Sequence, residues 1–305
     1  MNRSRRLVVS LALNVALVVV QIAFGLVAHS TGLLADAGHN LSDVGALVLS
    51  LVAVRLALRP PSARRSFGNH RATILAALAN AALVAVVTAL IVIDSVHRLG
   101  HPEPVRAAIV IVVAAVGLVV NGLAALVLRD GSHDLNMRSA LVHMAGDALA
   151  SLAIVVAGAI MLASPSATWV DPVSALVVAA IILYQAGRVF RKSIAVLLES
   201  TPPDVDLGRL TATMAAVPGV NEVHDLHVWS LSSEMRVLSA HMVLSGHPTL
   251  EEAQVVGERV KQAIAAPYSI SHSTLELECE RCNDDDDPCS MEPVTLSTSG
   301  PAHLH

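Results

Sequence analysis

Charge is scarce in this chain: only 15% of its 305 residues are Asp, Glu, Lys or Arg, where a soluble domain carries roughly 25%. Aromatic side chains are scarcer still, at 2%. Aliphatic residues take their place, with 54% of the chain hydrophobic and a mean hydropathy of +0.62. Such a composition excludes an ordinary soluble protein and points to a membrane protein with the lipid bilayer as its main surroundings. The charge that is present is segregated, arginines mostly in the first two thirds and acids mostly in the last, so the net charge of -5 carries little meaning. No basic face for a nucleic acid is formed, and no nucleic-acid partner is expected. The three cysteines, Cys279, Cys282 and Cys289, cluster near the C-terminus. So few, with a CxxC spacing, suit reduced thiols on a cytosolic domain and not a secreted disulfide framework.

Six apolar segments are present, at about 7–28, 33–56, 72–97, 104–128, 138–162 and 171–190, each near or above the ~20 residues that a spanning helix needs. The first follows Arg3, Arg5 and Arg6 like the start of a signal peptide, but it lacks a convincing cleavage site and is read as the first span. Arginines and the nearby lysine fall at the N-terminus, between spans two and three, between four and five, and after six (Arg188, Arg191, Lys192), while the alternate loops hold little beyond Arg98. Both termini are therefore expected on the cytoplasmic side, in a plasma (inner) membrane.

Two copies of one pattern lie within these spans, His39-Asn40-Leu41-Ser42-Asp43 and His143-Met144-Ala145-Gly146-Asp147. Helical residues i and i+4 share a face, so each segment presents an imidazole beside a carboxylate. Two nitrogens and two carboxylate oxygens make a tetrahedral Zn2+ site, in which the carboxylates cancel the ion's charge inside a low-dielectric medium. A single HxxxD is weak; a pair in two spans is specific, because ionisable residues are costly in a bilayer and seldom stand there without partners. The competing readings are an intramembrane metal-dependent hydrolase and a passive divalent-metal channel. A hydrolase needs a general base beside its metal, yet the spans contain neither HExxH nor any glutamate. A channel needs weak, easily vacated sites, whereas four convergent ligands suit alternating access. Asn14, Asp36, Asn80, Asp94, Asn121 and Asp171, in or near spans, are read as interhelical hydrogen bonds or helix starts, with Asp36, one turn before His39, also placed to line an exit.

After Glu199 the pattern changes, and Thr201-Pro202-Pro203-Asp204 reads as a helix stop, a stiff joint and an N-cap. The domain expectation is a membrane unit over 1–200, a soluble unit over 201–280 and a disordered acidic tail over 281–305. Helices are expected at 204–216 and 249–265, with strands at 220–230, 235–244 and 269–278, an αββαβ order giving a small sheet with helices on one face. His224, His227, His241 and His272, with Glu278, Cys279 and Cys282, form a second set of metal ligands here. Strict strand alternation puts His224 and His227 on opposite faces, where they would not share an ion.

Together with Val223-His224-Asp225-Leu226-His227-Val228-Trp229, Gly32-Leu33-Leu34-Ala35-Asp36-Ala37-Gly38-His39, Phe67-Gly68-Asn69-His70-Arg71 and Asp171-Pro172, these motifs make nearly the whole chain resemble the cation diffusion facilitator family, zinc-transporting branch. The resemblance implies a homodimeric zinc/proton antiporter, not an enzyme, that exports Zn2+ from the cytosol. It implies a C-terminal α+β ferredoxin-like domain that binds regulatory zinc and dimerises. Carried over, the transport site is His39, Asp43, His143 and Asp147, and the cytosolic site draws on His224, His241, Glu278 and Cys279 or Cys282, with His272 a further candidate. Two features depart from relatives: Gln254 stands where bacterial members have a helix histidine, and no long His-rich loop joins spans four and five.

Overall fold

A computed structural model of the protein describes residues 3–101, 103–129, 135–233 and 235–281; within helices, the side chains of 3–13, 124, 127–129, 135–140, 142 and 143 fall outside that description. The chain divides into two compact units between Leu197 and Leu198.

The first unit is a bundle of long helices: α1 Arg3–Ala28, α2 Thr31–Ala57, α3 Ala72–Gly100, α4 Ala107–Arg129, α5 Leu135–Ala163 and α6 Val170–Leu197. The apolar runs account for them, and breaks fall where the sequence turns polar or supplies proline. Between α1 and α2 the turn is short: His29 takes a left-handed φ of 53°, Ser30 N–H donates to Gly25 O, and the Ser30 hydroxyl caps α2 by accepting from Leu33 N–H at 3.2 Å. Leu90, Ile93 and Leu149 are more than 60% exposed, a surface that belongs in lipid. The interior instead packs small and branched residues, including Ala28, Leu33, Ala35, Val110, Ala114, Ile154, Ala175 and Val178. α3 packs along α6 and α4 along α5, and glycine sets the closeness of the second pair. A β-carbon on Gly158 of α5 would stand 2.7 Å from Ile111 Cγ1 of α4.

The second unit is built from α7 Leu207–Ala215, β1 Val220–Ser230, β2 Arg236–Leu244, α8 Leu250–Tyr268 and β3 Ile270–Glu278. β2 is central, antiparallel to β1 and parallel to β3. Leu210 and Met214 of α7 and Val260 and Ile264 of α8 are buried with Leu238, Ala240 and Met242 of β2, so both helices cover one face. The N-cap of α7 is Asp206, which accepts from Arg209 N–H at 3.0 Å. Asp204, two residues earlier, instead takes the Arg236 guanidinium through both oxygens at 2.9 and 2.8 Å. α8 opens on a reciprocal Thr249–Glu252 capping box.

One expectation about β1 is overturned. His224 pairs with His241 but His227 pairs with Ser239, so three residues of β1 span two of β2. The extra residue is Asp225, bulged at φ 47°. The bulge resets the alternation: Val223, Leu226 and Val228 face the helices, and His224 and His227 share the open face with His241. The expected acidic tail over 281–305 lies outside the described residues, apart from Arg281.

Candidate metal centres

In the membrane unit the structure brings together His39 and Asp43 of α2 and Asp147 of α5. His39 Nε2 lies 2.9 Å from Asp147 Oδ1 and 3.9 Å from Asp43 Oδ2. Around a tetrahedral zinc with bonds of about 2.0–2.1 Å, neighbouring donor atoms stand roughly 3.3 Å apart, so these separations bracket what the ion requires. His143 lies one turn before Asp147 on α5, but its side chain is outside the described residues.

Toward the start of α2 the surroundings of this group are polar and closed. Asn40 Nδ2 donates to Gln21 Oε1 at 2.9 Å, which turns the other end of the Gln21 amide toward Asp36; Gln21 Nε2 donates to Asp36 Oδ2 at 2.6 Å. Ser151 Oγ stands 3.5 Å from the same oxygen. α4 contributes Gly117 at this point, where a β-carbon would come 3.2 Å from Ser151 Oγ. Thus α1, α2, α4 and α5 meet in one buried polar cluster one turn from the His39 imidazole. Asp36 is fully buried in that cluster, in keeping with an interhelical hydrogen-bonding role. In the sequence Gln21 and Ser151 show only as an amide and a hydroxyl interrupting aliphatic runs, and Asn40 only as a residue inside the first HxxxD segment.

On the open face of the sheet a second group forms from His224, His241 and Glu278. His241 Nδ1 lies 2.9 Å from Glu278 Oε1, and His224 Nε2 lies 3.4 Å from Glu278 Oε2. Both ring nitrogens of His224 are buried without a hydrogen bond among the described residues. Burying a polar ring in that state is costly, and a bound cation removes the cost at one nitrogen. His241 Nε2 faces outward, 3.6 Å from Asp225 Oδ2 and 3.4 Å from Glu276 Oε2, while His227 Nε2 lies 2.8 Å from Asp225 Oδ1. Asp225 and Glu276 are not among the ligands expected from the sequence. The other candidates are not gathered into the group: His272 pairs with Val237, four residues along β2 from His241, and Cys279 is exposed at the end of β3. Cys282 is outside the described residues.

Comparison with known proteins covers both units. Residues 7–198 match the cation efflux transmembrane domain and residues 202–280 the cation efflux protein cytoplasmic domain. The chain is 34% identical to the zinc transporter ZitB of Pectobacterium atrosepticum, over 95% of this chain and 89% of that protein. It is 30% identical to the cadmium, cobalt and zinc/H(+)-K(+) antiporter of Bacillus subtilis, over 92% of this chain and 90% of that one. Among solved structures, the metal-bound C-terminal domain of the CzcD transporter from Cupriavidus metallidurans is 36% identical, covering 24% of this chain and 99% of its own, with a TM-score of 0.22. With both domain models matched along almost its whole length, the chain belongs to the cation efflux family.

Proposed function

We propose that the protein exports Zn2+ from the cytosol in exchange for protons, through a membrane site made of His39, Asp43, His143 and Asp147. The observation that carries this reading is the convergence of His39, Asp43 and Asp147 from two helices at zinc-compatible separations. The names of the relatives support the cargo, one a zinc transporter and another an antiporter of cadmium, cobalt and zinc. Exchange follows from the ligands themselves. A zinc ligand must be deprotonated, so the ion displaces protons from the imidazoles on one side and is displaced by protons on the other. The electrical work also favours exchange: two charges moved outward against 100 mV cost about 4.6 kcal/mol, and each returning proton offsets about 2.3 kcal/mol.

In this reading both termini are cytoplasmic, the membrane is the plasma (inner) membrane, and the protein works as a homodimer. Residues 201–280 form the cytosolic domain, where His224, His241 and Glu278 hold a regulatory zinc. Zinc uptake by inside-out vesicles with and without an imposed pH gradient tests the function. Gradient-dependent uptake is the expected result; uptake that ignores the gradient would make the protein a passive conduit.

A further inference from the structure

Burial along α2 is uneven in a way that the metal group alone does not require. From Thr31 to Asn40 the helix is largely buried, and His39 and Asp147 are 9% and 3% exposed at their side chains. One turn further on, the Asp43 side chain is 38% exposed. The metal group is therefore sealed toward the start of α2 and open toward its other half.

The seal is polar. Asp171, in the first turn of α6 and 1% exposed, accepts a hydrogen bond from Thr31 N–H at 2.7 Å, from Thr31 Oγ1 at 2.8 Å, and from Ser30 Oγ. One carboxylate thus sits at the N-termini of two helices, where both macrodipoles favour negative charge. Its partners among the described residues are two hydroxyls and a backbone N–H, not a cation. Gly32 lets the helices close over it: a β-carbon there would stand 2.8 Å from Ser174 Oγ and 3.2 Å from Asp171 Oδ1. The same end is tied again by Arg98 Nη1, which donates to His29 O at 2.8 Å, and by Arg106 N–H, which donates to Ala28 O at 3.0 Å. An aliphatic plug would hold this end without burying a carboxylate. Hydroxyls and a carboxylate differ in one respect that matters for transport: water replaces their hydrogen bonds when the helices part, so the opened end is not an exposed apolar surface.

We propose that the Asp171 clamp on Ser30 and Thr31 is the latch that shuts the α1–α2 end of the ion pathway, and that the ion leaves only when this clamp opens. The inference rests on the transport reading above and adds the residues that gate the same site. Asp171 acts on the ion through the position of α2, so it is a positioning residue and not a ligand.

The test is a reversible lock. The β-carbon built at residue 32, 2.8 Å from Ser174 Oγ, puts Gly32→Cys and Ser174→Cys within the Cβ–Cβ range of about 3.5–4.5 Å that a disulfide needs. The pair is placed in the full chain with Cys279, Cys282 and Cys289 changed to serine, and zinc flux is measured in inside-out vesicles. Oxidation should cut flux at least tenfold, and dithiothreitol should restore it, while zinc still binds. Oxidised protein that carries zinc as fast as the reduced form overturns the latch, as does a pair that thiol counting shows never to oxidise. Failure of the transport reading looks different, because then the unsubstituted chain carries no zinc. A second set does not depend on the disulfide. Asp171→Asn and Thr31→Val should each raise the zinc KM at least threefold, since opening the latch lowers the fraction of molecules able to load, whereas Thr31→Ser, which keeps the hydroxyl, should not. Equal KM values in all three variants overturn the proposal.

Discussion

His39 Nε2 and Asp147 Oδ1 lie 2.9 Å apart although 108 residues separate them in the chain. That contact sets α2 against α5 beside Asp43, and a cation bound between the two side chains would have to replace it. A proton shared between the two side chains and a divalent ion between them are alternative ways of balancing the same buried charge. If the pair ligates the cargo as proposed, proton and metal compete for the same two side chains before any larger motion is considered.

If Asp43 and Asp147 both bind the cargo, Asp43→Ala and Asp147→Ala should each reduce zinc flux by at least about a hundredfold, more than loss of an outer partner does. Expression and oligomeric state should remain normal. The flux assay with purified variants decides it, and near-normal transport in either would remove that residue from the site.

The group on the sheet gives a separate expectation, because its side chains lie on one sheet face far along the chain from α2. His224→Ala or Glu278→Ala should lower the number of zinc ions bound by the full-length protein, and Cys279→Ser should not, since Cys279 is exposed and outside the group. Zinc flux should weaken without vanishing in the first two. Equilibrium dialysis with zinc, beside the flux assay, checks both halves.

Packing between α4 and α5 is set by Gly158, whose added β-carbon would meet Ile111 Cγ1 at 2.7 Å. Gly158→Val should therefore destabilise the membrane unit by about 1–3 kcal/mol, the usual cost of overpacking. Thermal unfolding in detergent reads this, and relief by Ile111→Ala would tie the effect to that contact.

In the soluble unit, the Arg236 guanidinium hydrogen-bonded to Asp204 holds its carboxyl below the ordinary carboxylate value of 3.8. A depressed folded value means the pair stabilises the fold above the unfolded value, and the contribution is lost as pH falls through the folded one. Because the Asp204 side chain is 64% exposed, the contribution at neutral pH is only about 0–1 kcal/mol. Asp204→Asn should lower the domain's unfolding midpoint slightly at pH 7, and the difference from the unaltered chain should shrink as pH falls below the ordinary carboxylate value of 3.8 and vanish below the folded one.

Much of this architecture was legible from periodicity. Apolar runs long enough to cross a bilayer locate the helices, and the i,i+4 spacing puts His39 beside Asp43 on one face. The meeting of α2 with α5 was inferable only because the same motif occurs twice. What escaped has local physical causes. His224 and His227 share a face because Asp225 inserts one residue into the ladder, and a bulge leaves little trace in sequence beyond a residue that tolerates the left-handed region. Gln21 joins Asp36 to Asn40, yet a lone amide in an aliphatic run has no periodic partner to announce it. Asp204 reads as a cap by composition, but Arg236, 32 residues later, takes both its oxygens.

Selectivity should depend on His39 being an imidazole. Its Nε2 lies 2.9 and 3.9 Å from two carboxylates, and its side chain is 9% exposed. Nitrogen and carboxylate donors at tetrahedral spacing favour Zn2+, while Mg2+ and Mn2+ seek more oxygens in octahedral arrangement. Cd2+ is larger and accepts higher coordination numbers. A carboxylate at position 39 can bind through two oxygens, raising the coordination number and relaxing the geometry. His39→Asp should therefore keep zinc transport and gain cadmium transport, whereas the unaltered chain should prefer zinc at least about tenfold, the effect of one 1.4 kcal/mol difference in binding. Parallel flux measurements with the two ions at equal concentration make the comparison. An unaltered chain that already carries cadmium as readily as zinc, or a variant without any cadmium gain, would place selectivity outside this imidazole.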